Sequence, residues 1–209
     1  GQGSLVEDAA DAAALIERLD LAPAYVVGNS SGAEIALLLT AERPDLVRGV
    51  IAHEPAFISL LDGREELAPL FAEVRRKLVP VLDRISSGDH ADAAELFVET
   101  VALGPGQWAQ LPAHFKATMI FNAPTYLDEE NDPNAGKIDL RSLDRFTGPM
   151  LLTIGDQSPP IFAPIVRMIA DAVPRAEVLT FPGAGHVPHL TNPDELAEAI
   201  TSFVEKNEG

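Results

Sequence analysis

Four short apolar runs alternate with helix-patterned stretches along the 209 residues: AYVVGN at 24–29, VRGVIAHE at 47–54, PMLLTIGD at 149–156 and AEVLTFPG at 176–183. Each is too short for a helix of its own, rich in Val, Ile and Leu, and bounded by Gly, Pro or polar residues. That is the pattern of strands buried on both faces. Parallel strands cannot be closed by a hairpin and need crossovers, which the helix patterns near 32–43 and 161–172 supply. The expected fold class is therefore α/β, with a doubly wound, mostly parallel sheet. An opening helix starts at SLVE, where Ser4 and Glu7 form a capping box, and continues through Leu5, Ala9, Ala12, Ile16 and Leu19. A closing helix follows Asn192 as cap, with Pro193 in its first turn and Leu196, Ile200 and Phe203 on one face.

Residues 56–146 interrupt the alternation. No comparable strand occurs there; helical segments are expected near 64–86, 90–103 and 107–121, followed by the polar stretch YLDEENDPNAGKID. The predicted organisation is a core of residues 1–55 and 147–209 with a helical insertion at 56–146 between the second and third strands.

Charge and composition remove several function classes. The net charge of −17 repels phosphate backbones and anionic lipid, so neither nucleic acid nor a membrane surface is an expected partner. The absence of cysteine excludes disulfides and thiolate chemistry and fits a reducing compartment. No apolar run approaches the roughly 18–20 residues of a membrane span, and no basic-then-apolar leader opens the sequence. A soluble, cytoplasmic protein is expected.

On a parallel α/β sheet, functional groups belong at the carboxyl ends of the strands. There the first strand runs into Gly28-Asn29-Ser30-Ser31-Gly32 and a helix follows at once. This Gly-x-Ser-x-Gly turn is the context of a nucleophile elbow, in which the glycines allow strand and helix to approach and the central residue is strained so that its hydroxyl is exposed. Ser30 is the candidate nucleophile. The helix behind it directs its positive end at the site, and the Ser31 backbone N–H is the candidate oxyanion donor.

With this turn the chain resembles the α/β-hydrolase superfamily, and the resemblance extends over nearly its whole length. It implies a Ser-His-acid triad, in the chain order serine, acid, histidine, with residues 56–146 as a helical cap. Of the five histidines, His90 and His114 fall in the expected cap and His53 at a strand end, while His189 reads as a loop or helix-entry residue. His186, in the loop GAGH after the last strand, takes the place of the family's general base. The acid departs from the family pattern: where relatives commonly read Gly-x-x-Asp after the third of these strands, this chain has Gly155-Asp156-Gln157-Ser158, with serine in the acid's place. Asp156 and Glu54 are the two candidates. Glu54, at the alternative position that some members use, is preferred; Asp156 is expected to bond its own backbone as short acids in turns do.

The resemblance also implies four further strands ahead of the first helix that are not in this sequence. The strand at 24–29 is then left as an apolar edge, to be covered by a preceding segment or by a second copy in a homo-oligomer. The loop that supplies a second oxyanion donor would be missing too, so low activity is expected of the isolated 209 residues. The implied activity is hydrolysis of a small, largely apolar carboxylic ester or related acyl compound through an acyl-enzyme, with no cofactor and no metal. Trp108, Phe115, Met119, Phe121 and Tyr126 are the candidate substrate contacts, although aromatics at helical spacing are more often core. Two alternatives share the scaffold: carbon–carbon bond hydrolysis with the same triad, and ligand binding without catalysis.

Overall fold

The computed structural model describes residues 3–208. In chain order the elements are α1 (Leu5–Arg18), β1 (Ala24–Asn29), α2 (Ser31–Glu42), β2 (Val47–His53), α3 (Ala68–Ser87), α4 (His90–Phe97), α5 (Gln107–Gln110), α6 (Ala113–Glu130), β3 (Met150–Gly155), α7 (Phe162–Ala172), β4 (Glu177–Phe181), α8 (Pro188–Thr191) and α9 (Pro193–Glu208). They fall into two compact units: residues 5–62 with 136–208, and residues 63–135 with 3–4. The two ends of the expected insertion, 56–62 and 136–146, thus group with the sheet. There the backbone N–H and hydroxyl of Ser59 both donate to the Gly136 carbonyl, and Phe57, Leu143 and Phe146 are fully buried.

The sheet unit is an α/β layer with four described strands, all parallel, in the order β1-β2-β3-β4. Side chains alternate between its faces. Ile51 and Leu151 lie on one face under Ile200 and Phe203 of α9, with Tyr25 edge-on to Phe203. Val50, Ala52, Met150 and Leu152 point the other way and are sealed from solvent, and α2 and α7 pack against these strands. The strands expected from the apolar runs are all present. In α1 the buried stripe is Leu5, Ala9, Ala13 and Ile16; Leu19, expected to continue it, lies past the helix end and is exposed. β1 is an edge strand among the described residues, with Val27 46% exposed.

Register decides what meets at the top of the sheet. Asn29 pairs with His53, His53 with Thr153, and Gly155 with Phe181, so all four strands end at one level. Ser30, Glu54, Asp156 and the loop after Phe181 are delivered to the same edge.

The helical unit packs around Val81, Ile85, Ala93 and Ala123. It departs from expectation in two places. The helix expected over 90–103 gives way at Val98–Ala102 to a wider π turn. The last helix does not stop near 121 but runs through Pro124 to Glu130. Proline costs roughly 3 kcal/mol inside a helix; here Ala123, Tyr126 and Leu127, on either side of it, are packed into the core, and their burial outweighs the lost hydrogen bond.

Candidate active site

Ser30 joins β1 to α2 at φ 57°, ψ −124°, a backbone region in which a residue with a Cβ is strained by about 1–3 kcal/mol. The neighbours hold it there: its N–H donates to the His53 carbonyl at 3.0 Å, and its own carbonyl accepts from the N–H groups of Ala33 and Glu34 at 2.9 and 3.1 Å. The two glycines of the turn differ. A Cβ on Gly28 would lie 2.1 Å from the Gly32 carbonyl oxygen, whereas one on Gly32 would meet nothing within 4 Å. The expectation that both glycines avoid a clash is therefore corrected: only Gly28 must lack a side chain, and Gly32 is the backbone it makes room for. Ser31 opens α2, so its N–H precedes the helical hydrogen-bond ladder and is available at the turn.

His186 lies against Ser30, its Nε2 3.0 Å from the serine Oγ, and its Nδ1 is 2.6 Å from Glu54 Oε2. The ring is fixed on other sides as well. Phe162, at the start of α7, stacks on it at 4.3 Å with a 12° tilt, and Asn29 Nδ2 donates to the His186 carbonyl at 2.9 Å. The loop before it is pinned to the end of β3: the Gln157 N–H donates to the Ala184 carbonyl at 2.9 Å, and the Gly183 N–H to Asp156 Oδ1 at 2.8 Å. Asp156 thus bonds a neighbouring turn rather than its own backbone, and of the two acid candidates it is Glu54 that the fold brings to the imidazole.

Glu54 is fully buried, follows β2 at φ 47°, and its N–H donates to the Thr153 carbonyl at 3.1 Å. Its Oε1 accepts the Gly155 N–H at 2.8 Å. Burial by itself raises the pKa of such a carboxyl; hydrogen bonding to His186, the adjacent Ser158 hydroxyl and the Gly155 N–H overcome it and hold Glu54 below its ordinary value. The Ser158 Oγ is buried and outside regular hydrogen-bond geometry, so its effect on the carboxylate is one of proximity. His53, which sequence reasoning passed over as a strand-end residue, lies beneath the acid. It is 2% exposed, with Nδ1 2.9 Å from Thr153 Oγ1 and Nε2 3.6 Å from Glu54 Oε1. Burial pushes its imidazole down to about 4, against the opposing pull of Glu54. His189, in α8, is also lowered, by burial and by His186.

The remaining candidates lie in the helical unit. Tyr126 packs edge-on to Phe97 in its core, Trp108 sits under the Lys116 ammonium, Phe115 and Met119 are half-buried, and Phe121 is 83% exposed. Tyr126 is thereby a core residue of that unit. His90 and His114 begin α4 and α6. Among the described residues no three His, Asp or Glu side chains are grouped to hold a metal, and no helix is long and apolar enough to cross a membrane.

The sequence pattern of the Alpha/beta hydrolase family matches residues 1–199. The chain belongs to that family. Its relatives include the sn-1-specific diacylglycerol lipase ABHD11 of Mus musculus, 25% identical over 93% of this chain and 63% of the mouse protein. Another is the 2-(acetamidomethylene)succinate hydrolase of Mesorhizobium japonicum, 27% identical over 93% of this chain and 69% of that enzyme. The chain therefore spans about two thirds of the length of these relatives. The family fold is matched in a thermophilic esterase from Thermogutta terrifontis, with a TM-score of 0.72 at 20% identity, over all of this chain and 75% of the esterase.

Proposed function

We propose that the protein is a serine hydrolase acting on a small, largely apolar carboxylic ester or related acyl compound. The observation that carries this reading is the unbroken line from Ser30 Oγ through the His186 ring to Glu54, 3.0 Å at one end and 2.6 Å at the other. In the reaction His186 Nε2 takes the Ser30 proton as Oγ attacks the substrate carbonyl. The imidazolium is stabilised through Nδ1–H by the Glu54 carboxylate. The Ser31 N–H, at the positive end of α2, faces the oxyanion of the tetrahedral intermediate. His186 returns the proton to the leaving alcohol, an acyl-enzyme remains on Ser30, and water activated by the same nitrogen releases the acid. The choice of an ester with an apolar acyl group leans on the diacylglycerol lipase among the relatives.

The test is labelling with a fluorophosphonate, followed by mass mapping of the adduct, beside turnover of a series of p-nitrophenyl acyl esters. Labelling at Ser30, abolished in Ser30→Ala and His186→Ala, is the expected result. A folded protein whose Ser30 stays unlabelled would favour ligand binding without catalysis.

A further inference from the structure

Glu54 carries a charge at a site sealed from water, and its carboxylate has more acceptor positions than His186 and Gly155 fill. Two groups stand beside the remainder, the Ser158 hydroxyl and the His53 ring. The orientation of the ring is set from β3, where Nδ1 lies 2.9 Å from Thr153 Oγ1 across the register pair His53 and Thr153. Nε2 is then the nitrogen on the side of Glu54, buried and 3.6 Å from Oε1, and the Gly185 carbonyl next to His186 is a second acceptor for the ring N–H. Of the two neutral tautomers, one would turn an Nε2 lone pair toward a buried anion. The other turns an N–H toward it while the Thr153 hydroxyl donates to Nδ1, and this is the electrostatically favoured one.

We propose that His53 is a positioning residue for the acid: neutral and protonated at Nε2, it directs that N–H at Glu54 and so keeps the Glu54–His186 pair from taking up an extra proton at neutral pH. The proposal rests on the reading of Ser30, His186 and Glu54 as a working triad. Its logic is that a carboxylate stripped of one donor becomes more basic, and the imidazole bonded to it then holds a proton more tightly. A protonated His186 cannot act as base. The titratable groups that face His53 are Glu54 on its own strand, His186 in the loop after β4 and His189 in α8; the Phe181 ring lies at 6.0 Å. Burial keeps His53 itself neutral through this range, so its contribution is a fixed dipole rather than a second charge.

Two amide substitutions separate this role from core filling. His53→Asn retains a group at the Nδ1 position for Thr153 and removes the one facing Glu54; His53→Gln places a donor near the Nε2 position. The acid limb of kcat/KM against pH is expected to move up by about one unit in His53→Asn, the size of effect when a donor to a charged group is lost, and to stay within a few tenths in His53→Gln. Coincident profiles for both variants and the parent would overturn the proposal. If the variants do not fold, the parent protein decides: in ¹⁵N-labelled protein the His53 imidazole should show its proton on Nε2 from pH 5 to 8, and a proton on Nδ1 would overturn the proposal. That titration also reads the His186–Glu54 pair without substrate. Absence of turnover with the expected tautomer intact would fault the hydrolase reading and leave the His53 arrangement standing.

Discussion

Replacing each glycine of the Gly28-Asn29-Ser30-Ser31-Gly32 turn by alanine should give opposite results. At Gly28 the added Cβ would lie 2.1, 2.4 and 2.6 Å from Gly32 O, Gly32 C and Ala33 N. All three are backbone atoms of the first turn of α2, and the Ala33 N–H is tied to the Ser30 carbonyl at 2.9 Å, so no flexible side chain can give way. Relief needs β1 and the start of α2 to part by about 1 Å, at the upper end of overpacking costs, about 3 kcal/mol. For a chain of this size that is a drop in Tm of roughly 6–12 °C. The same shift carries Ser30 Oγ away from His186 Nε2, and a displacement of about 1 Å costs on the order of 100-fold in rate. At Gly32 the new methyl meets nothing within 4 Å, and alanine in a helix gains about 0.5–1 kcal/mol over glycine. Urea denaturation gives the stabilities and fluorophosphonate labelling gives the reactivity of Ser30. Equal losses in Gly28→Ala and Gly32→Ala, or a neutral Gly28→Ala, would refute the close approach on which the elbow argument rests.

Glu54→Gln should lower turnover of an acyl ester by three to four orders of magnitude with the fold intact, because the amide cannot hold His186 in the productive tautomer; this follows the roughly 10⁴-fold loss seen for the equivalent change in chymotrypsin-like triads. Asp156→Asn keeps an Oδ1 acceptor and so weakens, without removing, the hydrogen bonds from the Gly183 N–H and Gln157 Nε2; it should cost less than about 10-fold, below the roughly 1.5 kcal/mol for losing a hydrogen bond to a charged group outright; steady-state kinetics showing the reverse ranking would reassign the acid. Stability should fall in mild acid. His53 drops from 6.5 unfolded to about 4 folded, so the unfolded chain binds more protons below 6.5, and stability present above that pH is lost toward 4, to a total of about 3 kcal/mol at 1.36 kcal/mol per unit. Glu54, lowered from 4.5, adds a second loss only below its ordinary range. Urea midpoints at pH 7 and 4.5 should differ, and the difference should shrink in His53→Asn; an unchanged slope would show that His53 is already protonated in the folded protein.

The parts of this molecule that could be read from sequence are those whose determinants are contiguous. β1, β2, β3 and β4 are short runs of β-branched and aliphatic residues, and the turn at Ser30 is specified by five consecutive residues. The extension of α6 beyond Pro124 could not be read, because it depends on the packing of Ala123, Tyr126 and Leu127 rather than on local propensity. The site was legible where a motif named a residue and obscure where only neighbours do. His186 follows from its loop, and Ser158 in place of an acid directed attention to Glu54. The stack of Phe162 on His186 is invisible in a stretch that reads as ordinary apolar helix. His53 is the clearest omission. A histidine at the end of a strand has no periodic or motif signal, and its meaning appears only when β2 and β3 are aligned so that it faces Thr153 and leans on Glu54.

The geometry around Gly155 shows how Glu54 and Asp156 come to act at different places. A Cβ on Gly155 would lie 2.2 Å from the Ala184 carbonyl oxygen and 2.8 Å from Ser158 Oγ, so the histidine loop rests directly on the end of β3. That contact leaves the β3 terminus acting through its backbone: the Gly155 N–H donates to Glu54, and the Gln157 N–H to Ala184. The carboxylate enters from the flank: Glu54, turned inward at φ 47° at the end of the adjacent strand, reaches the ring with a side chain one methylene longer than aspartate, and the Ser158 hydroxyl stands beside it. Asp156 is one residue past Gly155 and outside the packed layer, where it secures Gly183, three residues before the imidazole. The two acids thus divide one task between ring and loop. Glu54 sets the orientation of the His186 side chain, Asp156 the path of the backbone that carries it, and the losses from removing both should be less than the product of the losses from removing each, since a ring no longer oriented gains little from a loop held in place.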